Sequence, residues 1–249
     1  HLGKLVQGMY MTEDQQFILE QFMQHVEREK PDVVIVAGDL YDRALPPVEA
    51  VKLLDEVFEK IVLELNVPVL AIAGNHDSPA RIHYGSKLLK KAGLHVVGQL
   101  ESAFTPVVTE DAFGVVHTYL LPYVDPAQVK HFFKDDAVTS QQTAMARMMA
   151  HYDTVLQRDV RNVLVAHAFV TKHGEEAQNT SDSERTLSVG GSDCVSAELF
   201  QAFDYVALGH LHEAHYVLRE SIQYAGSPLP YSISEEKHKK GYLCVELGE

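Results

Sequence analysis

The sequence predicts an α/β fold, and three of its features support that prediction. Amphipathic helical patterns alternate with short, continuously apolar runs in the first half of the chain. Such runs are typical of strands that are covered on both faces of a sheet. Shorter strand-like segments follow between Leu94 and Pro126 and again from Ile222 to Leu247. The 249 residues, 46% of them hydrophobic, suffice for one large core, and we expect a single domain over residues 1–249.

Three helices are predicted from apolar residues that recur at helical spacing. The first begins near Thr12, which can form a capping box with Gln15. The second surrounds Leu54, and the third extends from Gln141 to Gln157. The polar stretch from Thr171 to Asp193 is predicted to be a long surface loop, which is uncommon unless it is functional or mobile.

Four apolar runs are predicted to be buried strands, and each is followed by a residue that can bind a metal ion. The runs cover residues 33–37, 67–73, 163–166 and 204–208. The residues that follow them are Asp39, Asn75, His167 and His210, with His212 two positions further on. Ligands of open α/β sheets collect beyond the carboxyl ends of the strands, so these side chains are expected to form one shared site.

The types of these residues narrow the choice of metal. Imidazole, carboxylate and amide oxygen, without a thiolate, favour manganese, iron or zinc over a soft metal or an iron–sulfur cluster. A lone histidine or aspartate after a strand is usually a structural polar residue, but four strand ends together favour a metal site. The remaining histidines lack this context and receive no role: they are His25, His83, His95, His117, His131, His151, His173, His215 and His238.

Charge and cysteine content exclude some classes of function. The net charge of −14 argues against a simple nucleic-acid-binding protein, although bound cations would still attract phosphate. Cys194 and Cys244 lie in unrelated segments and are expected to be buried thiols, which favours a cytoplasmic location. No apolar run is long enough to cross a membrane.

Five motifs in order along the chain resemble those of the calcineurin-like metallophosphoesterases. They are His1-Leu2-Gly3, Gly38-Asp39-Leu40-Tyr41-Asp42, Gly74-Asn75-His76-Asp77, His167 and Gly209-His210-Leu211-His212. Within that superfamily the chain resembles the SbcD family of nuclease subunits. The stretches that carry this closer resemblance are residues 38–47, Ser188-Val189-Gly190-Gly191 and Tyr224-Ala225-Gly226-Ser227-Pro228.

This resemblance implies a fold and an activity. The fold would be a four-layer αββα sandwich of two mixed β-sheets flanked by helices, with the first half of the chain supplying one sheet. The activity would be that of a 3′-to-5′ exonuclease on double-stranded DNA and an endonuclease on single strands and hairpins, in DNA repair and recombination. The implied cofactors are two divalent ions, Mn²⁺ first and Fe or Zn as alternatives. The implied partners are DNA, the ATPase subunit SbcC and a second copy of the chain.

The resemblance also assigns roles within the site. One metal ion would be bound by His1, Asp39 and His212, and the second by Asp39, Asn75, His167 and His210, so that Asp39 bridges them. His76 would protonate the leaving oxygen or stabilise its charge. Asp77 is expected either to orient His76 in catalysis or to cap the turn. The family pattern further places a strand and an aspartate before His1, and a capping and SbcC-binding region after Glu249, outside this sequence.

Other functions fit parts of the same pattern. Nucleotidases, cyclic-nucleotide phosphodiesterases and protein phosphatases carry related motifs, although protein phosphatases typically have glycine and glutamate where this chain has Ala44 and Asp77. A non-catalytic scaffold of the same fold is a further alternative, against which the complete set of visible ligands argues. Lys4, Arg43 and Arg81 flank the motifs and are interpreted as solvated charges rather than phosphate contacts.

Overall fold

The computed structural model describes residues 1–174 and 194–248. Its α-helices are α1 Thr12–Glu29, α2 Val48–Glu59, α3 Pro79–His83, α4 Ser86–Leu89, α5 Pro126–Phe133 and α6 Gln141–Val155. Its strands are β1 Leu5–Val6, β2 Met9–Tyr10, β3 Val34–Val36, β4 Val69–Ile72, β5 Leu94–Val97, β6 Val107–Asp111, β7 Gly114–Leu121, β8 Arg161–His167, β9 Val170–Thr171, β10 Val195–Ser196, β11 Tyr205–Gly209, β12 His215–Val217 and β13 Arg219–Tyr224. Most of the loop predicted at 171–193, including the Ser188–Gly191 motif, lies outside the described residues.

Two sheets form the centre of the molecule. The larger has six strands in the order β12-β13-β11-β8-β7-β6, and the smaller has three in the order β3-β4-β5. The larger sheet is mixed, because β6 and β12 pair antiparallel while β7, β8, β11 and β13 run parallel. The smaller sheet was expected to be mixed as well, but its three described strands are all parallel.

The two sheets pack face to face, and helices cover both outer faces. Successive residues of a strand point to opposite faces. Val69 of β4 accordingly packs with α1 and α2, while Leu70 lies in the apolar layer between the sheets. In the larger sheet, Val165 of β8 enters that same inner layer, while Leu164 packs with α5 and α6. Three apolar layers therefore separate four layers of structure, and the predicted αββα sandwich is confirmed.

The first half of the chain supplies the smaller sheet, as predicted, and residues 107–224 supply the larger one. The segment that begins at Leu94 was expected in the larger sheet, but β5 at Leu94–Val97 joins the smaller one. The strand ends lie level with one another: Gly209 of β11 pairs with His167 of β8, and Ala71 of β4 pairs with Val36 of β3. The residues that directly follow these strands therefore emerge together at one edge of the sandwich.

Three local predictions were wrong. The tail from Ile222 to Leu247 was expected to form two or three antiparallel strands, but only its first residues, up to Tyr224, lie in a strand, β13. After Tyr224 its described residues hold a short 3₁₀ turn at Ile233–Glu235 and no strand. Thr12 does not cap α1, because Met11 is the cap residue and no side chain bonds there. Cys194 is buried as expected, but Cys244 is exposed.

Within the described residues, no helix is long and apolar enough to span a membrane.

Candidate metal centre

Residues from both sheets form a cluster around the side-chain oxygen of Asn75. Asn75 follows β4, and its Oδ1 lies 2.8 Å from Nε2 of His167 at the end of β8. Nδ1 of His210, directly after β11, lies 3.1 Å from the same oxygen. Oδ2 of Asp39 approaches Nε2 of His167 to 3.2 Å. The four residues assigned to the second metal ion are thus brought together.

A second group lies on the other side of the same aspartate. Nε2 of His1 is 3.1 Å from Nε2 of His212 and 3.5 Å from Oδ2 of Asp39. This is the carboxylate oxygen that also faces His167. Oδ2 of Asp39 therefore faces both groups, which is the geometry that a bridging ligand requires.

The chemistry of these donors fits bound cations. Nδ1 of His167 donates to the carbonyl oxygen of Ala37 at 2.7 Å, and Nδ1 of His212 donates to the carboxylate of Glu235 at 2.9 Å. The hydrogen of each neutral ring is thereby held on Nδ1, and the lone pair of Nε2 points inward. The lone pair of His167 Nε2 then faces Oδ1 of Asn75 and Oδ2 of Asp39, and these atoms repel one another unless positive charge lies between them. The residues present therefore suit a metal site.

The electrostatics of these side chains lead to the same conclusion. Burial lowers the pKa of His167, but the carboxylate of Asp39, the carbonyl oxygen of Ala37 and the charge of Asp77 together outweigh burial and raise that pKa above its ordinary value. Burial raises the pKa of Asp39, but His167 and His76 outweigh burial and hold it below its ordinary range. A site that favours a proton between these groups favours a cation there, and a bound metal ion would displace that proton.

His210 is kept neutral by its surroundings. Burial, together with the charge of nearby His167, lowers the pKa of His210 to about 3. Because only the neutral imidazole binds metal, this environment prepares His210 to act as a ligand near neutral pH.

Close backbone packing positions the ligands. Gly38 has φ of 93°, and a side chain on it would clash with the ring of His167. A side chain on Gly74 would clash with Asp39. Asp39 and His210 themselves have φ of 51° and 104°, in the region that residues other than glycine rarely adopt. Such strain persists where the surrounding structure enforces it, commonly at functional sites.

His76 lies next to Asp39, the residue that faces both groups of proposed ligands. Its backbone N–H donates to Oδ1 of Asp39 at 2.9 Å, and its ring Nδ1 donates to the carbonyl oxygen of Asp42 at 2.9 Å. The ring stands edge-on to His1, with 4.7 Å between centroids. One potential ligand atom from each of His1, Asp39 and His76 lies within 4.8 Å of the other two. His76 is therefore close enough to be either a metal ligand or a catalytic residue.

Asp77 forms hydrogen bonds that favour the turn-capping alternative. Its Oδ2 accepts from the backbone N–H groups of Leu40 at 3.0 Å and Gly74 at 2.9 Å, and its Oδ1 accepts from Tyr41 at 2.9 Å. The carboxylate is buried and ties the loop after β3 to the loop after β4. None of these three bonds reaches His76, the residue that Asp77 was expected to orient.

Several side chains support the site in ways that the sequence did not predict. Glu235 and Tyr231 approach His212 from the tail, with 5.6 Å between the rings of Tyr231 and His212. Gln15 is buried and donates from Nε2 to the carbonyl oxygen of His1 at 2.7 Å. Lys4, interpreted as a solvated charge, is instead largely buried and pairs with Asp42 at 2.8 Å.

Comparison with known proteins assigns this architecture to a family. Calcineurin-like phosphoesterases match residues 1–214, and the chain belongs to that family. The chain is 38% identical over 247 residues to the D subunit of the nuclease SbcCD from Staphylococcus epidermidis. That match covers 99% of this chain and 64% of the relative, so the chain spans 64% of the relative's length. Phosphopantetheinyl hydrolase from Mycobacterium tuberculosis, a solved structure, is only weakly similar, with 14% identity and a TM-score of 0.40 over 76% of each chain.

Proposed function

We propose that this chain is the nuclease subunit of a complex of the SbcC–SbcD type and hydrolyses phosphodiester bonds in DNA with two divalent metal ions. The family membership and the 38% identity to a nuclease subunit support this function. The observation that carries it is the position of Asp39, whose Oδ2 lies 3.5 Å from His1 on one side and 3.2 Å from His167 on the other. One carboxylate between two groups of donors is what a dinuclear phosphoesterase centre requires.

The proposed ligands are His1, Asp39 and His212 for the first ion and Asp39, Asn75, His167 and His210 for the second. When bound, the two ions would supply Lewis acidity and activate the attacking water. Nitrogen and oxygen donors without a thiolate support Mn²⁺, with Fe and Zn as the alternatives. Because Asp39 is the only carboxylate among these residues, much of the positive charge would remain uncancelled and available to the phosphate of the substrate.

His76 is the proposed proton donor to the leaving oxygen. A carbonyl oxygen can only accept, so the hydrogen on Nδ1 stays committed to Asp42 and the ring orientation is fixed. Proton transfer would then take place at Nε2, which takes up a proton from water and releases it to the leaving group. Asp77 is proposed to act indirectly, by holding the two loops that carry Asp39 and His76.

The substrate and the partners rest on the resemblance and on the relative's name. DNA, cut from 3′ ends of duplexes and within single strands or hairpins, is the proposed substrate, in repair and recombination in the cytoplasm. SbcC is the proposed ATPase partner, and a homodimer is the proposed assembly. The net charge of −14 is consistent with DNA contacts that depend on bound metal and on a partner.

The proposed activity is tested by comparing substrates under matched conditions. The protein is incubated with and without Mn²⁺ on linear duplex DNA, hairpin DNA, a phosphopeptide and a cyclic nucleotide. We expect Mn²⁺-dependent cleavage of the two DNA substrates and no comparable turnover of the others. Preferred hydrolysis of the phosphopeptide or the cyclic nucleotide would replace the proposal with another phosphoesterase activity. Metal binding without turnover of any substrate would favour a scaffold.

A further inference from the structure

The tail of the chain places a fully buried carboxylate behind one proposed ligand. Glu235 ends the 3₁₀ turn Ile233–Glu235, and its side chain is 0% exposed. Its Oε1 accepts from Nδ1 of His212 at 2.9 Å. An ionised carboxylate is costly to bury, so its presence here requires compensating contacts.

Lys240 and the backbone of Tyr231 supply such contacts. Nζ of Lys240 lies 2.5 Å from Oε2 of Glu235, 2.9 Å from the carbonyl oxygen of His212 and 2.9 Å from Oγ of Ser227. The backbone N–H of Tyr231 also donates to Oε2 of Glu235, at 3.2 Å. Residues 227–240 thus form a strap that binds both the ring and the backbone of His212.

The preceding turn is fitted to the same backbone. Gly226 has φ of 73°, and a side chain there would meet the carbonyl oxygen of His212 at 2.8 Å. The backbone N–H of Ser227 donates to that oxygen at 3.1 Å. The Gly226-Ser227-Pro228 motif therefore has a structural reason: it lets the strap approach His212 closely.

We propose that Glu235 is a positioning residue for the metal ion bound by His1, Asp39 and His212, an inference that rests on the proposed metal-dependent function. Its carboxylate holds the hydrogen of His212 on Nδ1, which directs the lone pair of Nε2 towards His1 at 3.1 Å. A carboxylate in this position also makes the imidazole a stronger donor to metal. Lys240 offsets the charge of Glu235 and keeps the strap closed.

Glu235→Leu tests the positioning role, and Glu235→Leu combined with Lys240→Met separates it from a role in folding. The single variant leaves the ammonium of Lys240 without its carboxylate, whereas the double variant removes both charges. Glu198→Leu is the matched control, because Glu198 also pairs with a histidine, His173, at 3.3 Å but on the surface. Mn²⁺ affinity is measured by calorimetric titration without DNA, and folding by urea denaturation with a chelator present.

We expect both Glu235 variants to bind one of two Mn²⁺ ions about 10–100-fold more weakly, while the ion at Asn75, His167 and His210 keeps its affinity. The double variant should regain folding stability without regaining that affinity, and Glu198→Leu should match the wild type. Recovery of affinity together with stability, or unchanged affinity in a folded Glu235 variant, would overturn the proposal. Wild-type protein that binds Mn²⁺ but cleaves no DNA would overturn only the proposed activity, and wild-type protein that binds no metal would overturn both.

Discussion

Replacing Asp77 distinguishes a residue that holds the site together from one that acts in catalysis. In Asp77→Ala, three backbone N–H groups lose their acceptor: the buried groups of Leu40 and Gly74 and the partly buried group of Tyr41. Each buried donor left without a partner costs about 1–3 kcal/mol. With two fully buried donors affected, we therefore expect the free energy of unfolding to fall by at least about 2 kcal/mol. Asp77→Asn keeps one oxygen, which can still serve two of the three donors, and should cost about 1–3 kcal/mol.

The assay is urea denaturation in the presence of a chelator, so that metal binding does not contribute to the measured stability. Asp136→Ala is the control, because the side chain of Asp136 is 98% exposed and its ion pair with Lys130 lies on the surface. This control should unfold like the wild type. An Asp77→Ala protein of near wild-type stability that no longer cleaves DNA would refute the positioning role and restore the catalytic one.

Three further predictions concern the role of His76, the bridging role of Asp39 and the binding of DNA. His76→Ala should lower cleavage about 10²–10⁴-fold with metal stoichiometry unchanged, since His76 is proposed to donate a proton; a lost metal ion, measured by elemental analysis, would instead make His76 a ligand. Asp39→Asn should weaken Mn²⁺ binding more than Asn75→Ala in calorimetric titrations, because Oδ2 of Asp39 faces both donor groups; the reverse order would count against bridging. DNA binding by this chain of net charge −14 should be weak and fall steeply with salt in fluorescence anisotropy, whereas tight, salt-insensitive binding would contradict us.

The strands were predictable because burial on both faces makes their sequences apolar. The ligands were predictable because they follow directly after these strands. A run such as residues 67–73 is apolar at every position only if both faces of the strand are covered, and β4 at Val69–Ile72 is fully buried. Asn75 and His167 then follow from the rule that ligands gather at carboxyl strand ends. The distance between their side chains, 2.8 Å, confirms that the two strand ends meet.

The supporting contacts were not predictable, because they depend on tertiary placement alone. Glu235 lies 23 residues from His212 along the chain, and no motif or spacing in the sequence links the two residues. Gln15 stands at the spacing of a capping box, but the fold turns its side chain inward to His1 and Gly3. The tail alternates apolar and polar residues like a strand, yet residues 227–240 pack against the site as an irregular strap instead of joining a sheet.

We propose that one carboxylate, that of Asp39, is shared by two metal ions. Electron paramagnetic resonance of the protein loaded with Mn²⁺ tests it most directly, because two Mn²⁺ ions about 3.5–4 Å apart through a shared ligand are magnetically coupled. We predict two ions per chain and the spectrum of a coupled pair, which Asp39→Asn converts to that of isolated ions. A single ion per chain, or two uncoupled six-line signals in the wild type, would show that Asp39 does not bridge two ions.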